Sequence, residues 1–484
     1  MRRVFVLNAA GLLAVLPGAN VGAQESPNVL VIHTDEHNFR TLGCYRALMS
    51  PEEAEVWGDG VVVETPNIDS LAVNGVICSR FYATTPVSSP SRSSFMTGLY
   101  PQQTAVVTND LPMNDSVVTF AEDFRRRGYH TGYIGKWHLD GTARPGWQPE
   151  RKFGFVDNRY MMNRGHYKRI VEKGEGQFEI TYDGKGLTRE NFMTDFLTDK
   201  AIDYIRAHKD EHFCCVVAYP DPHGPNTVRA PYDTMYTHFK FQRPKTALKD
   251  KSGLPSWAYG NDRMENMARY FGMVKCLDDN IGRLVAELKE QGLLERTIIV
   301  FTSDHGDLCG EHGRTNKSVP LETSARVPFI VCYPGVLEKG KVVDEVLSVV
   351  DFAPTILSLA GVDTEASRAG RDFSPLLKGK KAGRKWRDAV FMRGGDRRDG
   401  PAKSWLSIVS KRYKLTLSDV PGDVPWLTDL DKDPDELVNE YTNPSYRKVV
   451  RKLMEELQEY GEKWNDGRVK SEPIRNELEK MLYH

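Results

Sequence analysis

The chain has 484 residues, with 65 Lys and Arg against 66 Asp and Glu and a formal net charge of −1. That length accommodates one large domain with a smaller one beside it, and the charge balance argues against a general nucleic-acid binder. Forty glycines and 27 prolines, without an internal repeat or a low-complexity tract, suggest a loop-rich enzyme rather than a repeat array.

The first 23 residues have the pattern of an export signal: Arg2 and Arg3, the apolar run Val4–Leu16, then Val21-Gly22-Ala23 before Gln24. The run is shorter than the ~20 residues that span a bilayer, and no cysteine stands near the cleavage point to take a lipid. The expectation is an exported protein without a stable membrane anchor, periplasmic in a bacterium or secreted. Seven cysteines, Cys44, Cys78, Cys214, Cys215, Cys276, Cys309 and Cys332, match no zinc spacing. Cys214-Cys215 lies in the apolar run Phe213–Ala218 and reads as core.

Asn28–Thr34 is a continuous apolar run, the pattern of a strand buried on both faces in a parallel sheet. It ends at Asp35-Glu36, where α/β sheets place ligands, and hard carboxylate oxygens suit Ca²⁺ or Mg²⁺; an acidic turn capping the next element is the alternative. Thr65–Ala72 starts a helix with Pro66 in its first turn, and Val76–Tyr82 is apolar.

The stretch Pro86–Pro101 follows. Thr85–Pro90 reads as a tight loop, and Ser91 as the cap of a short helix running through Leu99. A reactive group at Ser88 then stands just before a helix N-terminus, where free N–H groups favour an anion. Arg92 adds a fixed positive fork for an oxyanion.

Asp115–Arg127 reads as an amphipathic helix and Tyr129–Leu139 as a strand. On that strand Lys136 and His138, two residues apart, face the same way and can address one oxyanion; an edge strand with a solvated lysine is the alternative. Gly141–Gly186 is irregular and polar, with Arg144, Trp147, Arg151, Arg159, Arg164 and His166. Phe192–Ala207 is helical in pattern, His212–Tyr219 is a buried strand, and His223 follows in a proline-rich turn. Met264–Gln291 is a long helix, and the strand Thr297–Thr302 leads into a second acid cluster at Asp304-His305. Lys317, Glu322 and Arg326 precede the strand Phe329–Tyr333, and Asp351–Gly361 is a helix. This alternation of buried strands and helices argues a doubly wound α/β domain. Beyond a basic, linker-like Lys378–Asp388, short strands at Ala389–Met392, Ser404–Ser410 and Tyr413–Leu417 and a helix at Tyr446–Asn465 read as a smaller α+β domain.

The run Ser88-Ser89-Pro90-Ser91-Arg92 with Met96-Thr97-Gly98 resembles the activation motif of the formylglycine-dependent sulfatases, Cys/Ser-x-Pro-Ser-Arg-x-x-x-Leu/Met-Thr-Gly, in its Ser form. Further pieces similar to that family are Thr65–Gly75, Gly135-Lys136-Trp137-His138, Pro222-His223, Ser303-Asp304-His305-Gly306, Lys317, Glu322–Pro328, Asp351–Gly361 and Leu427–Pro434. The resemblance implies an alkaline-phosphatase-like α/β domain with a mainly parallel sheet over residues 24–378. A smaller α+β subdomain with an antiparallel sheet would cover 379–484. It implies that Asp35, Glu36, Asp304 and His305, with residue 88, hold a divalent cation, Ca²⁺ by preference. Glu36 stands where a second Asp or a Gln is usual. Arg92, Lys136, His138, His223 and Lys317 would line a sulfate pocket.

The chemistry so implied is sulfate ester hydrolysis. Ser88, oxidised to an aldehyde by a radical-type activating enzyme and hydrated, offers two hydroxyls; a metal-activated one attacks sulfur. Arg92, Lys136, Lys317 and the cation stabilise the charged oxygens. His223, with Lys317 beside it as a second candidate, is the candidate acid for the leaving alcohol, and His138 the candidate base that draws off the second hydroxyl proton. The expected substrate is a sulfated sugar of a glycosaminoglycan or mucin-type glycan, held by Gly141–Gly186 and Arg393–Arg398. Alternatives are an aryl- or choline-type sulfatase, a phosphomonoester or phosphonate hydrolase, and a non-catalytic glycan-binding relic.

Overall fold

The computed structural model describes residues 26–174, 176–250, 253–260, 264, 266–383, 386, 389–395 and 404–483. The export signal expected over residues 1–23 lies outside them, as do Asp396, Arg397 and Arg398. Eight strands form the main sheet: β1 (Asn28–Asp35), β2 (Val76–Cys78), β3 (His130–Lys136), β4 (Asp157–Met162), β5 (Phe213–Pro222), β6 (Thr297–Ser303), β7 (Phe329–Cys332) and β8 (Lys341–Val343). They lie in the order β8-β2-β7-β6-β1-β5-β3-β4. Only β7 runs antiparallel to its neighbours; β6, β1, β5, β3 and β4 are mutually parallel.

The apolar runs of β1, β5 and β6 are buried along their whole length. Side chains alternate across a strand, so these runs feed two cores. Val29, Val31, Cys214, Val216, Ile298 and Val300 face the layer of the Phe120–Arg126 and Phe352–Ala360 helices. Leu30, Ile32, Cys215, Val217, Ile299 and Phe301 face the helices Pro66–Val73, Met193–Ala207 and Met267–Glu290. None of the seven cysteines forms a disulfide.

A four-stranded antiparallel sheet, Ala389–Arg393, Trp405–Ser410, Tyr413–Ser418 and Trp426–Asp429, follows in the C-terminal part. One face packs on the helices Arg447–Lys463 and Glu472–Tyr483 through Leu406, Ile408, Leu415, Leu453 and Leu457. Its other face, with Val390, Met392, Trp405 and Val409, meets Tyr82, Leu308, Leu321 and Ala325 of the large domain. Among the described residues no helix is long and apolar enough to cross a membrane.

Several local readings shift. The expected helix Asp115–Arg127 is shorter, because Thr119 caps it by accepting the Glu122 N–H. The stretch 141–186 is not wholly irregular: β4 joins the sheet edge there, and Arg169–Gly174 pairs with Gln177–Thr181 as a hairpin. Both are half-exposed elements whose polar residues hide the strand pattern. The loop expected over Thr85–Pro90 gives way to a helix that begins at Ser88 and runs to Thr97, ended by Gly98 in the left-handed region.

Candidate active site

The ends of β1, β3, β5 and β6 meet at one edge of the parallel sheet, the place where such sheets bind ligands. Register sets Thr34 beside Ser303 and Asp35 beside Pro222, so the two acid clusters become neighbours. The helix that starts at Ser88 points its N-terminus into this edge. Three of its buried serines are tied to their surroundings: Ser91 Oγ bonds the Asp304 carbonyl, Ser93 Oγ the Pro90 carbonyl, and Ser94 Oγ the Thr84 hydroxyl. Phe95 stacks on Phe352 at 3.9 Å. The helix is thereby fixed against the core, with Ser88 at its first position.

Ser88 Oγ lies 3.0 Å from His305 Nε2 and 3.5 Å from Lys136 Nζ. Arg92 is fully buried; its Nε donates to Asp304 Oδ2 at 2.9 Å, Nη1 to the Lys136 carbonyl at 2.7 Å, and Nη2 lies 3.4 Å from Asp35 Oδ2. Lys136 forms a short ion pair with Asp35 and lies 2.8 Å from His166 Nε2. The close approach that brings Lys136 here depends on Gly135. Its φ is 110°, and a Cβ would fall 2.0 Å from the Ala218 carbonyl.

Glu36 is turned by a φ of 63°. Its carboxylate meets His223 Nε2 at 2.9 Å and Lys317 Nζ at 3.1 Å, and Lys317 Nζ is 2.6 Å from His223 Nε2. The Glu36 backbone is held by Asp304 Oδ1 at 3.2 Å and by Tyr270 at 2.7 Å. Lys317 sits on a loop buttressed by the C-terminal sheet, through Trp405 Nε1 to the Ser318 carbonyl and Lys414 Nζ to the Pro320 carbonyl.

Burial alone pushes the Asp35 carboxyl up, but Lys136, His166, His223 and Arg92 outweigh it and hold it well below its ordinary value. Against burial, His223 and Lys317 hold Glu36 at about 2. Asp304, raised by burial and by Asp35, is brought to about 2 by His305, Arg92 and Lys136. All three are therefore anions. Lys317 is raised, since Glu36, Asp35 and Asp304 overcome the cost of burial.

One donor atom each from Asp35, Asp304 and His305 lies within 4.8 Å of the others. Asp35 Oδ1 is buried without a hydrogen-bond partner. Orphaned carboxylate oxygen in an oxygen-rich donor set suits a hard cation, so these residues fit one, with Ser88 Oγ beside them. Asp35, His166 and His223 also converge, but the ammonium groups of Lys136 and Lys317 stand on their ring nitrogens. That half of the site is thus lined by two ammonium groups.

Of the residues singled out in the sequence, Asp35, Glu36, Ser88, Arg92, Lys136, His223, Asp304, His305 and Lys317 form this one contact network. His138 stands beside it, not on the strand. β3 ends at Lys136, and His138 has a φ of 63°, so the two do not share a face by strand period. Its Nε2 bonds Asp110 at 3.1 Å. The sequence marks His166 only as one polar residue of the 141–186 region and gives no sign of Asp110, because a lone His or Asp in a polar loop carries no local signal. In the 141–186 region Arg164 reaches Asp110. Arg151 is taken by Asp115 and Asp140, Arg159 by Asp157, and Trp147 packs on Phe178. Arg393, the first residue of the segment expected to contact sugar, is likewise buried and bonded to Gln102 and Asp466.

The family model described as Sulfatase matches residues 27–362. The chain belongs to the sulfatase family. It is a sulfuric ester hydrolase with the alkaline-phosphatase-like fold, and the mainly parallel sheet with a separate antiparallel one agrees with the expected architecture. A second model, N-sulphoglucosamine sulphohydrolase, C-terminal, matches residues 310–463 of this sulfatase. An N-acetylglucosamine-6-O-sulfatase of Bacteroides thetaiotaomicron is 26% identical to it, over 94% of this chain and 90% of the relative. An ulvan-active sulfatase of Formosa agariphila is 30% identical, over 73% of this chain and 65% of its own length. A solved structure of a protein with its substrate D-glucosamine-2-N,6-O-disulfate superposes with a TM-score of 0.76 at 24% identity, covering 93% of this chain and 99% of that one.

Proposed function

We propose that this sulfatase removes sulfate from a sulfated carbohydrate, a unit of a glycosaminoglycan or mucin-type glycan, with residue 88 as nucleophile. One observation carries the reading. Ser88 Oγ stands 3.0 Å from His305, a member of the Asp35, Asp304 and His305 donor set, and 3.5 Å from Lys136. Asp35, Asp304, His305 and the residue-88 oxygen would hold a divalent cation, Ca²⁺ by preference. Glu36, turned towards Lys317 and His223, reaches it least directly. When bound, the cation supplies positive charge beside residue 88 and lowers the pKa of its hydroxyl. Three carboxylates, Asp35, Glu36 and Asp304, balance three cations, Arg92, Lys136 and Lys317, so a divalent ion leaves the pocket positive for a sulfate monoester.

Ser88 is oxidised to formylglycine by a radical-type activating enzyme, and its hydrate provides one hydroxyl for attack and a second for release of sulfate. Lys136 and Lys317 bind the sulfate oxygens, with Arg92 holding Asp35 and Asp304 in place. His223 protonates the leaving sugar oxygen, and His138 takes a proton from residue 88. The relatives that act on N-acetylglucosamine 6-sulfate and on ulvan support a sugar substrate. An exported, periplasmic location would place the enzyme where such glycans arrive.

The test is a screen of defined sulfated mono- and disaccharides beside aryl sulfates and aryl phosphates, with protein matured by the activating enzyme. One sugar regiochemistry should dominate. Good turnover of aryl sulfates with none on any glycan, or a large preference for phosphate, would overturn the proposal.

A further inference from the structure

We propose that Asp110 is a positioning residue that fixes the orientation and tautomer of His138, with Arg164 holding Asp110 in place. The inference deepens the role given above to His138 and rests on that reading. The His138 side chain is 3% exposed, and its Nε2 lies 3.1 Å from Asp110 Oδ1. Asp110 Oδ2 is bound by Arg164 Nη1 at 2.6 Å. A carboxylate only accepts, so Nε2 carries the ring proton. Nδ1 is then the nitrogen with the lone pair, and it is buried with no hydrogen-bond partner. An imidazole with one nitrogen satisfied and the other left empty is set to accept a proton.

The backbone supports the same assignment. Asp110 and His138 both hold positive φ, 65° and 63°. Non-glycine residues are held there where their surroundings over-determine them. The two segments are cross-braced: the Met113 N–H donates to the Leu139 carbonyl at 3.0 Å, and Pro112 bridges Asp140. Asn109 Oδ1 accepts the Ser89 N–H at 2.9 Å, in the first turn of the helix that begins at Ser88. The dipeptide Asn109-Asp110 thus ties the nucleophile's helix to the base. Burial pushes the His138 ring down to about 4 while Asp110 pulls the other way, so the ring rests neutral near pH 7. When it acts, the O–H bond of the free hydroxyl on residue 88 breaks and an Nδ1–H bond forms; the O–H electron pair becomes the aldehyde C=O bond as the C–O bond to sulfate breaks, sulfate leaves with that bond's electron pair, and the Asp110 carboxylate balances the positive ring.

The experiment compares Asp110→Asn and Asp110→Ala in the matured, metal-loaded enzyme, with residue-88 oxidation checked by mass spectrometry. The expected result is a fall in kcat of about 10²–10⁴-fold, the range that a positioned general base contributes, with KM within about threefold. Alcohol should appear in a burst of about one equivalent per site, because the His138 step follows its departure. Asp110→Glu should restore part of kcat, and ¹⁵N-histidine NMR should show the Nε2–H form of His138 in the parent and its loss in Asp110→Asn. Turnover within threefold of the parent in both variants, or a neutral His138 protonated at Nδ1 in the parent, would sink the inference. His138→Ala separates the readings: intact turnover there removes the role of His138 itself, while lost turnover beside active Asp110 variants removes only the role of Asp110.

Discussion

The imidazole rings of His166 and His223 lie face to face, centroids 3.5 Å apart and planes within 2°. Each Nε2 meets one lysine and one carboxylate: Lys136 and Asp35 for His166, Lys317 and Glu36 for His223. Two charged rings at that distance repel. Burial, then His223 and Lys136, holds His166 well below its ordinary value, which keeps that ring neutral. His223→Ala is expected to lower kcat about 10²–10⁴-fold, and more for poor leaving groups than for good ones. His166→Gln should cost about tenfold or less and show no such dependence. A series of aryl sulfates of graded leaving-group pKa measures both; equal slopes for parent and His223→Ala would remove the acid role.

Maturation is expected to change residue 88 by about two mass units, the loss of two hydrogens on going from alcohol to aldehyde. Peptide mass spectrometry of active protein checks this, and full activity from unmodified serine would contradict it. Ser88→Ala should abolish turnover but cost only ~1 kcal/mol for the lost bond to His305, a fall of a few degrees in Tm.

Removal of the cation should stop the reaction. Asp304→Asn keeps the shape of the side chain, although it weakens the pair with Arg92. It is expected to lower both metal content and turnover, by 100-fold or more for turnover, with an unchanged circular dichroism spectrum. Elemental analysis before and after exhaustive chelation is the complementary measurement; undiminished activity with metal shown to be absent would defeat the assignment.

A pH effect on stability is expected at the seam between the two sheets. Lys414 Nζ lies 2.6 Å from Glu436 and 2.7 Å from Glu322, all buried. Burial raises the Glu436 carboxyl to about 7, against the pull of Lys414. The folded state therefore holds a proton that the unfolded chain releases near 4.5. Stability on this account falls as pH rises from about 4.5 to about 7, by about 3 kcal/mol at ~1.4 kcal/mol per pKa unit. Lys414 is raised and Glu322 lowered, so their own losses fall above the ordinary lysine range and below the ordinary carboxylate range. Denaturant unfolding at pH 5 and pH 8 should show the drop in the parent and a flatter profile in Glu436→Gln. Parallel profiles would count against it.

The catalytic half of the fold was legible wherever one strand's own sequence carried the information. Asn28–Thr34, His212–Tyr219 and Thr297–Thr302 are apolar on both faces, and only a sheet covered on both sides buries such runs. Their polar ends, Asp35, His223 and Asp304, could be marked as site residues because the chain leaves the core there. β4 and the Arg169–Thr181 hairpin were not legible, since a half-exposed edge carries polar residues like a loop. The helix start at Ser88 was misplaced for a related reason: Ser and Pro favour turns locally, and only buried partners such as Thr84 and Asp304 make a serine-rich segment a core helix.

The sequence by itself determined the buried strands, the acids that end them and the Ser88-to-Arg92 motif with its cations. Tertiary structure alone decided which of these touch. The sheet order β6-β1-β5-β3 joins Glu36 to Asp304 across 268 positions of chain. It also decided that His166 stacks on His223 and that Asp110 holds His138. The physical reason is that burial is set largely by a segment's own side chains. What a histidine or an aspartate does is set by the group opposite it, and that group arrives from a distant strand or loop.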